Sequence, residues 1–552
     1  MKNNFRKQAV VLGMLLLLVT IGCKKQLDQQ PLDKFESSEF WTTEENAYLA
    51  LIGIYRGNIF TNAAEFNPND WWGSTGLNWL EMATDNAYPR TGDAAAQNKL
   101  TNGTLTSNIG ILGNYWSNSY SRIAHCNDFL EHIGLVTMDQ TRKARMIAEA
   151  RFIRASQYFY LSQYFGSAPL VTKVLTPQEA NTVTKATHQE LVDFVIAEYS
   201  AAIPALPRHK DILTATREIG RASRQAALAF LGRIQLAEGK FADAATTYKT
   251  IIDFGDNIID PNYQSIFLEA NENSSENIFS TQYVPNLLGN PLMQHLAPGV
   301  GGGFNLVNPL GSLFDAYQFS DGTPFSYTDP RYNPKDLGQN RDPRLRYTLL
   351  YDNAPYGSTK FISNPDSLSA RDRLGNATLD QTGFGIRKYM NESFTTSLAK
   401  QNGSNLPIIR YAEVLLSYLE AKLEAGQPID QDLLDATINK VRGRTTVNMP
   451  KITVTDPTTL MPILRNERRV ELALEGIRLW DLLRWHIADQ VLKGDFYGHP
   501  FPGIKTALKK KPGTTANDLY SRWYVTSKAF RKGVDEYWPV PQAEVNINPN
   551  LK

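Results

Sequence analysis

Between Arg465 and Trp485 the chain reads R-N-E-R-R-V-E-L-A-L-E-G-I-R-L-W-D-L-L-R-W, a pattern that restricts any fold built around it. At 100° per residue, Val470, Ala473, Leu474, Ile477 and Trp480 form one apolar stripe. Leu472, Leu479 and Leu483 form another on the far side, with Gly476 inside it. An unbroken helix that is apolar on two faces must be covered on both, so it joins two layers. Its charges then have to be accommodated indoors. Asp481 and Arg484, three apart, are expected to pair with each other or with Glu467 and Arg468. Glu467, Glu471 and Glu475 recur every four residues among arginines, which lowers carboxyl pKa values and suits structure, whereas a glycosidase acid needs its pKa raised.

Helical periodicity governs much of the remaining chain. Thr43 opens a capped helix through Leu49, Leu51, Ile52 and Tyr55, and long patterns follow from Tyr115 to Ile133, Arg142 to Phe165 and His188 to Leu206. Within 221–254, Leu231-Gly232, Gly239, Ala244 and Tyr248 fall where a tetratricopeptide repeat places its small and large residues. Arg410 to Gly426 followed by Asp432 to Arg442 has the same helix, glycine turn, helix form. Paired helices of this kind stack into a solenoid. The expected fold is therefore mainly α, a tetratricopeptide-like α-solenoid scaffold.

Residues 255–405 break that character. Gly, Pro, Asn and Asp rise and rings recur, which predicts a large irregular insertion of loops and short strands. Gly299 to Gly303, followed by Phe304, reads as a mobile loop and not a nucleotide loop, since no Lys-Ser/Thr follows it. Closing helices are expected over 406–490, and a second irregular stretch runs from Gly494 to Ser521. The divisions are thus 37–254, an N-terminal helical region, and 255–552, a C-terminal region containing the insertion.

The N-terminus reads as export machinery. Residues 1–22 combine Lys2, Arg6 and Lys7 with the apolar run Val10 to Val19, as in a signal peptide. Ile21-Gly22-Cys23 resembles a lipobox, with Cys23 as the lipidation point, although Thr20 stands where Leu is more usual. Residues 23–36 form a polar tether. Removing 1–22 changes 57 basic and 56 acidic residues to 54 and 56. So balanced a chain has no electrostatic footprint for nucleic acid. Cys126 is expected to be a small buried hydrophobe, and no metal site or cofactor is expected from His125 and His132, seven apart without further ligands.

No nucleophile elbow, H-E-x-x-H, C-x-x-C or calcium loop occurs, so catalytic residues are not assigned. Irregular stretches do supply rings beside amides and carboxylates: Trp71, Trp72, Trp79 and Tyr88 near Asp85 and Asn86, and Tyr283, Phe304 and Tyr317 in the insertion. A sugar offers a C–H face to a ring and a hydroxyl rim to planar polar groups, so this mixture suits a glycan. The competing reading is that these rings plug loops onto the core, since large aromatics are mostly buried.

The Arg465–Trp485 segment resembles the C-terminal helix motif of the SusD/RagB family. It is joined in the family's order by Ile409-Arg410-Tyr411-Ala412-Glu413-Val414-Leu415-Leu416, preceded by Asn340-Arg341-Asp342-Pro343-Arg344 and closed by Trp538-Pro539-Val540-Pro541. The resemblance implies a surface lipoprotein that binds oligosaccharides and delivers them to a SusC-like TonB-dependent outer-membrane transporter. It further implies a shallow aromatic arc drawn from the Trp71–Tyr88 and Tyr283–Phe325 regions. Peptide capture within the family, and from other classes a surface glycoside hydrolase or a tetratricopeptide adaptor, are the alternatives.

Overall fold

The structure, a computed structural model, describes residues 40–57, 69–215, 218–375, 380–394 and 398–552. The signal segment, Cys23 and the tether lie outside the described residues. Helix α1 (Glu44–Arg56) begins where Thr43 accepts the Asn46 amide at 3.2 Å. It is followed by α2 (Gly110–His132), α3 (Gln140–Phe165), α4 (His188–Ala202), α5 (Arg224–Ala237) and α6 (Phe241–Phe254). Asp139, Thr187 and Ser223 cap α3, α4 and α5 with side-chain oxygens, satisfying amides that have no partner inside a helix. After the insertion comes α7 (Tyr411–Glu424).

Successive helices pack on one another, α2 on α3, α3 on α4, α4 on α5, α5 on α6 and α6 on α7, which is the progression of a solenoid. The α5–α6 pair shows why its small residues sit where they do. A Cβ on Gly232 would lie 2.6 Å from the Tyr248 ring, so only glycine allows this approach. Gly239 turns the chain between the two helices with φ +68°.

Two expected helices are divided. Residues 432–442 split into α8 (Gln431–Ala436) and α9 (Ile438–Arg442) at Thr437, whose φ of −122° and ψ of −99° are not helical. The Arg465–Trp485 stretch is also not one helix: α10 (Pro457–Glu471) ends in a turn before α11 (Arg478–Arg484), with Leu474 at φ +65° and Gly476 at φ +80°. The turn is held from outside. Asn78 donates to the Leu474 carbonyl at 2.9 Å, Lys388 to that of Ala473 at 2.8 Å, and the Gly476 amide donates to Glu81 at 2.8 Å. A Cβ on Gly476 would strike the Leu77 carbonyl carbon at 2.3 Å. Burial on two sides nevertheless holds, with Val470, Leu472, Ala473, Leu474, Leu479 and Trp480 all inside.

The charges of α10 radiate into separate buried clusters. Glu471 accepts from Arg344 and Arg410 at 3.1 Å each and from Arg444 at 2.9 Å. Around it, Glu276, Glu467, Glu475 and Asp342 balance these arginines together with Arg442 and Lys388. Burial alone would raise the Glu471 pKa, yet Arg444, Arg410 and Arg344 bring it down to about 2. Next in sequence, Arg468 pairs with Asp481 at 2.7 Å, and Asp481 with Arg484 at 2.8 Å, as expected from their spacing. Arg484 continues the chain of charges to Glu420.

Short antiparallel strands stitch the loops to this frame. Strand β1 (Ala87–Pro89) pairs with β3 (Val307–Pro309), and β2 (Asn277–Thr281) with β4 (Leu406–Arg410), which feeds directly into α7. The stretch read as irregular from Gly494 instead opens in strand β5 (Lys493–Pro500), paired with β6 (Arg522–Ala529). Phe496 and Val525 of this ribbon pack against Tyr88 and Leu310. Among the described residues no helix is long and apolar enough to cross a membrane.

Candidate functional site

Seven of the nine residues singled out as ligand contacts lie inside the molecule: Trp71, Trp72, Asp85, Asn86, Tyr88, Tyr283 and Tyr317. Trp71 is completely buried, its indole N–H donated to Ser119 at 2.8 Å. It stacks on Tyr115 at 4.2 Å and Tyr160 at 4.6 Å, in a pile that ends on Trp538 of the closing W-P-V-P segment. Trp72 donates to the Tyr160 hydroxyl at 3.2 Å and meets Phe279 edge-on. These rings carry no face to a ligand because the solenoid and the C-terminus already occupy both sides.

Asp85 and Asn86 are similarly committed. Arg478 makes a bidentate contact to Asp85 at 2.9 and 3.0 Å, and Arg469 a third at 2.8 Å. Burial opposes the charge on Asp85, but the two guanidiniums hold its carboxyl well below the usual range. Asn86 lies between Glu81 and Arg469, each at 2.9 Å. Tyr88 donates to Asp93 at 2.8 Å. The Tyr283 amide is taken by Asn405, and the Tyr317 carbonyl accepts from Arg341. Both phenols are pushed up by burial.

Trp79 and Phe304 differ: each is half-buried, and they belong to one patch. The β1–β3 ladder, with Tyr88 opposite Asn308, joins the two halves of the sequence here. His295 lies between the two rings, 5.8 Å from Trp79 and 6.3 Å from Phe304, centroid to centroid. Burial lowers the His295 pKa to about 4, so near neutrality the three rings make an uncharged row. At its edge, Arg90 donates Nη1 to the Phe304 carbonyl at 2.6 Å, and its own amide bonds to Leu306. The Gln381 side chain donates to the Arg90 carbonyl at 3.1 Å.

The glycine loop that delivers Phe304 is packed, not loose. A Cβ on Gly303 would lie 2.3 Å from the Ala297 carbonyl oxygen, and one on Gly301 2.6 Å from the Tyr356 hydroxyl. Asp372 accepts the amides of both Gly299 and Val300. Arg90, His295 and Gln381 were not distinguishable in sequence, since no local pattern marks residues gathered from three distant segments.

Elsewhere, a cleft of about 700 Å³ lies between the α5–α6 turn, α11 and Tyr537. Its Trp485 is capped by Arg465 at 4.8 Å and Arg484 at 4.9 Å and donates to Glu420, so it offers no open ring face. Among the described residues no group of three or more His, Cys, Asp or Glu side chains is placed to hold a metal ion. Cys126 is fully buried and its thiol is pushed up to about 12 by burial.

Comparison with known proteins reads the chain in two parts. Residues 264–552 match the family model described as SusD family, and residues 58–236 match one described as starch-binding associating with outer membrane. Among solved structures, a SusD-like carbohydrate binding protein from Bacteroides fragilis is 45% identical, with a TM-score of 0.89 over 93% of this chain and 100% of that one. SusD-like protein P38 of Formosa agariphila is 25% identical over 86% of this chain and 92% of its own length. A SusD-like protein of Bacteroides ovatus is 23% identical over 99% and 94% respectively.

Proposed function

Because this chain belongs to the SusD family, we propose that it captures oligosaccharides at the Trp79–His295–Phe304 patch and passes them to a SusC-like TonB-dependent transporter. The observation that carries this reading is the neutral ring row itself, its two end rings half-exposed about a buried His295 at the junction of two loops and edged by planar polar groups. Such a surface matches the apolar face and hydroxyl rim of a pyranose. The relative at 45% identity, described as carbohydrate binding, supports the same class of ligand. The match to a family associated with the outer membrane supports placement there, with acylated Cys23 as the anchor.

In this scheme the protein binds and releases without bond chemistry. Trp79 and Phe304 supply stacking, Gln381 and Arg90 hydrogen bonds, and His295 a fixed neutral ring between them. Titration calorimetry with a glycan panel and, in parallel, a peptide digest tests it. Heat from glycans that disappears in Trp79→Ala/Phe304→Ala supports the reading. Binding confined to peptides, or glycan binding that survives both substitutions, overturns it. Co-purification of a transporter with the acylated protein, lost in Cys23→Ala, tests the delivery step.

A further inference from the structure

Resting on that reading, we propose that the patch selects glycans bearing a negative charge, a uronate carboxylate or a sulfate ester, with Arg90 as the counter-ion. The other arginines of these loops offer a contrast: Arg341 is buried against Phe314 and Phe325 and donates to two carbonyls, whereas several of those nearer the surface are paired with acids. Arg331 is held by Asp321 and Asp329, Arg346 by Asp336, Arg387 by Glu392 and Arg522 by Asp518. Arg90 has a carbonyl oxygen in place of an acid, and among the described residues no carboxylate lies within 4.0 Å of it.

Asp93 and Asp372 are already engaged, and Asp380, beside Gln381, accepts the Thr382 and Gly383 amides through Oδ1 and is pushed up to about 7 by burial, which reduces its charge near neutrality. Asp93, three residues on, accepts from Tyr88, Asn98 and Thr526. Asp372, which grips the loop leading to Phe304, spends its oxygens on the Gly299 and Val300 amides. A guanidinium has five N–H donors in a rigid fork that fits carboxylate or sulfate oxygens two at a time.

Position adds to this. The Arg90 backbone is fixed on both sides, by Leu306 through its amide and by Gln381 through its carbonyl, and its Nη1 is fixed on Phe304. The cation is therefore held at the end of the ring row before any ligand arrives, which reduces the ordering a charged ligand must impose. Partial burial lowers its pKa somewhat, as expected for a cation drawn out of water without an acid beside it. A half-buried, unneutralised charge is unfavourable for folding alone, and the missing acid is what a charged ligand would bring.

Two matched pairs test the assignment by titration calorimetry: oligogalacturonate against its carboxyl-reduced form, and a sulfated galactan oligosaccharide against its desulfated form. At least one charged member should bind about tenfold more tightly than its neutral twin, and the advantage should shrink as salt rises. Arg90→Gln should bring the charged-to-neutral ratio close to one. Arg90→Lys, which keeps a point charge but loses the fork, should keep a reduced ratio and carries the test if the glutamine variant fails to fold. Equal affinity within both pairs, or a preference unchanged in either variant, overturns the charge assignment and leaves glycan capture standing. Failure of all four sugars to bind, while other glycans of the panel still bind, also overturns the charge assignment alone, and failure of every panel glycan overturns both.

Discussion

Arg410 and Arg90 show what one side chain does in two surroundings. Arg410 is fully buried and reaches Glu276 and Glu471 through one nitrogen and Glu475 through the others, so every charge near it is answered inside the protein. Arg90 is half-exposed beside two half-exposed rings and is answered by one carbonyl. Rings divide in the same way: Trp71 is closed between tyrosines and Trp538, whereas Trp79 and Phe304 are each half-exposed on either side of the buried His295. Arginine and aromatic content is therefore shared between a structural interior and the proposed recognition surface, and only the completeness of the partnership separates them.

The largest effect expected is on the interior side. Glu471→Ala leaves Arg344, Arg410 and Arg444 without their common acceptor and should cost about 3–5 kcal/mol in urea unfolding, or prevent accumulation of folded protein. Trp71→Ala should cost a similar or slightly smaller amount, about 3–5 kcal/mol, while the protein that remains folded keeps its glycan affinity. Ligand affinity lost in step with Trp71 would erase the division between the two sets of rings. Gly232→Ala should cost about 1–3 kcal/mol, since the added methyl meets the Tyr248 ring, and should leave binding alone.

On the surface side the order of effects reverses. Trp79→Ala/Phe304→Ala should lower glycan affinity more than tenfold, at about 1.4 kcal/mol or more, with a smaller loss of stability than Trp71→Ala. Acid provides the finest discrimination. The Glu471 carboxyl titrates lower folded than unfolded, so the stability it contributes is complete above its ordinary value of about 4.5 and is lost as pH falls toward about 2. Glu471→Gln should flatten that part of the stability curve, measured by denaturant midpoints across the acid range.

What could be read ahead of the structure followed range of interaction. The Thr43 cap, the Gly232–Tyr248 approach and the Asp481–Arg484 pair involve neighbours in sequence or adjacent helices, and each formed as expected. Helix α10 ends at Glu471 and not at Trp485 because Asn78, Glu81 and Lys388 claim the turn, and none of these is near in sequence. The burial of Trp71 is likewise decided by Tyr160 and Trp538, so loop composition suggested exposed platforms where the fold built a core. Arg90 was invisible for the converse reason: what marks it at the half-exposed rings is an acid that the rest of the chain does not bring to it.

The ladder between β1 and β3 is only three residues long on each side, yet it binds Ala87 to Pro309. The two sides of the Trp79–Phe304 patch are therefore made at different times during synthesis, and a nascent chain that has not reached β3 has only one of them, however many of its early helices have formed. Either rim can also be altered without touching the residues of the other, because each comes from its own stretch of chain.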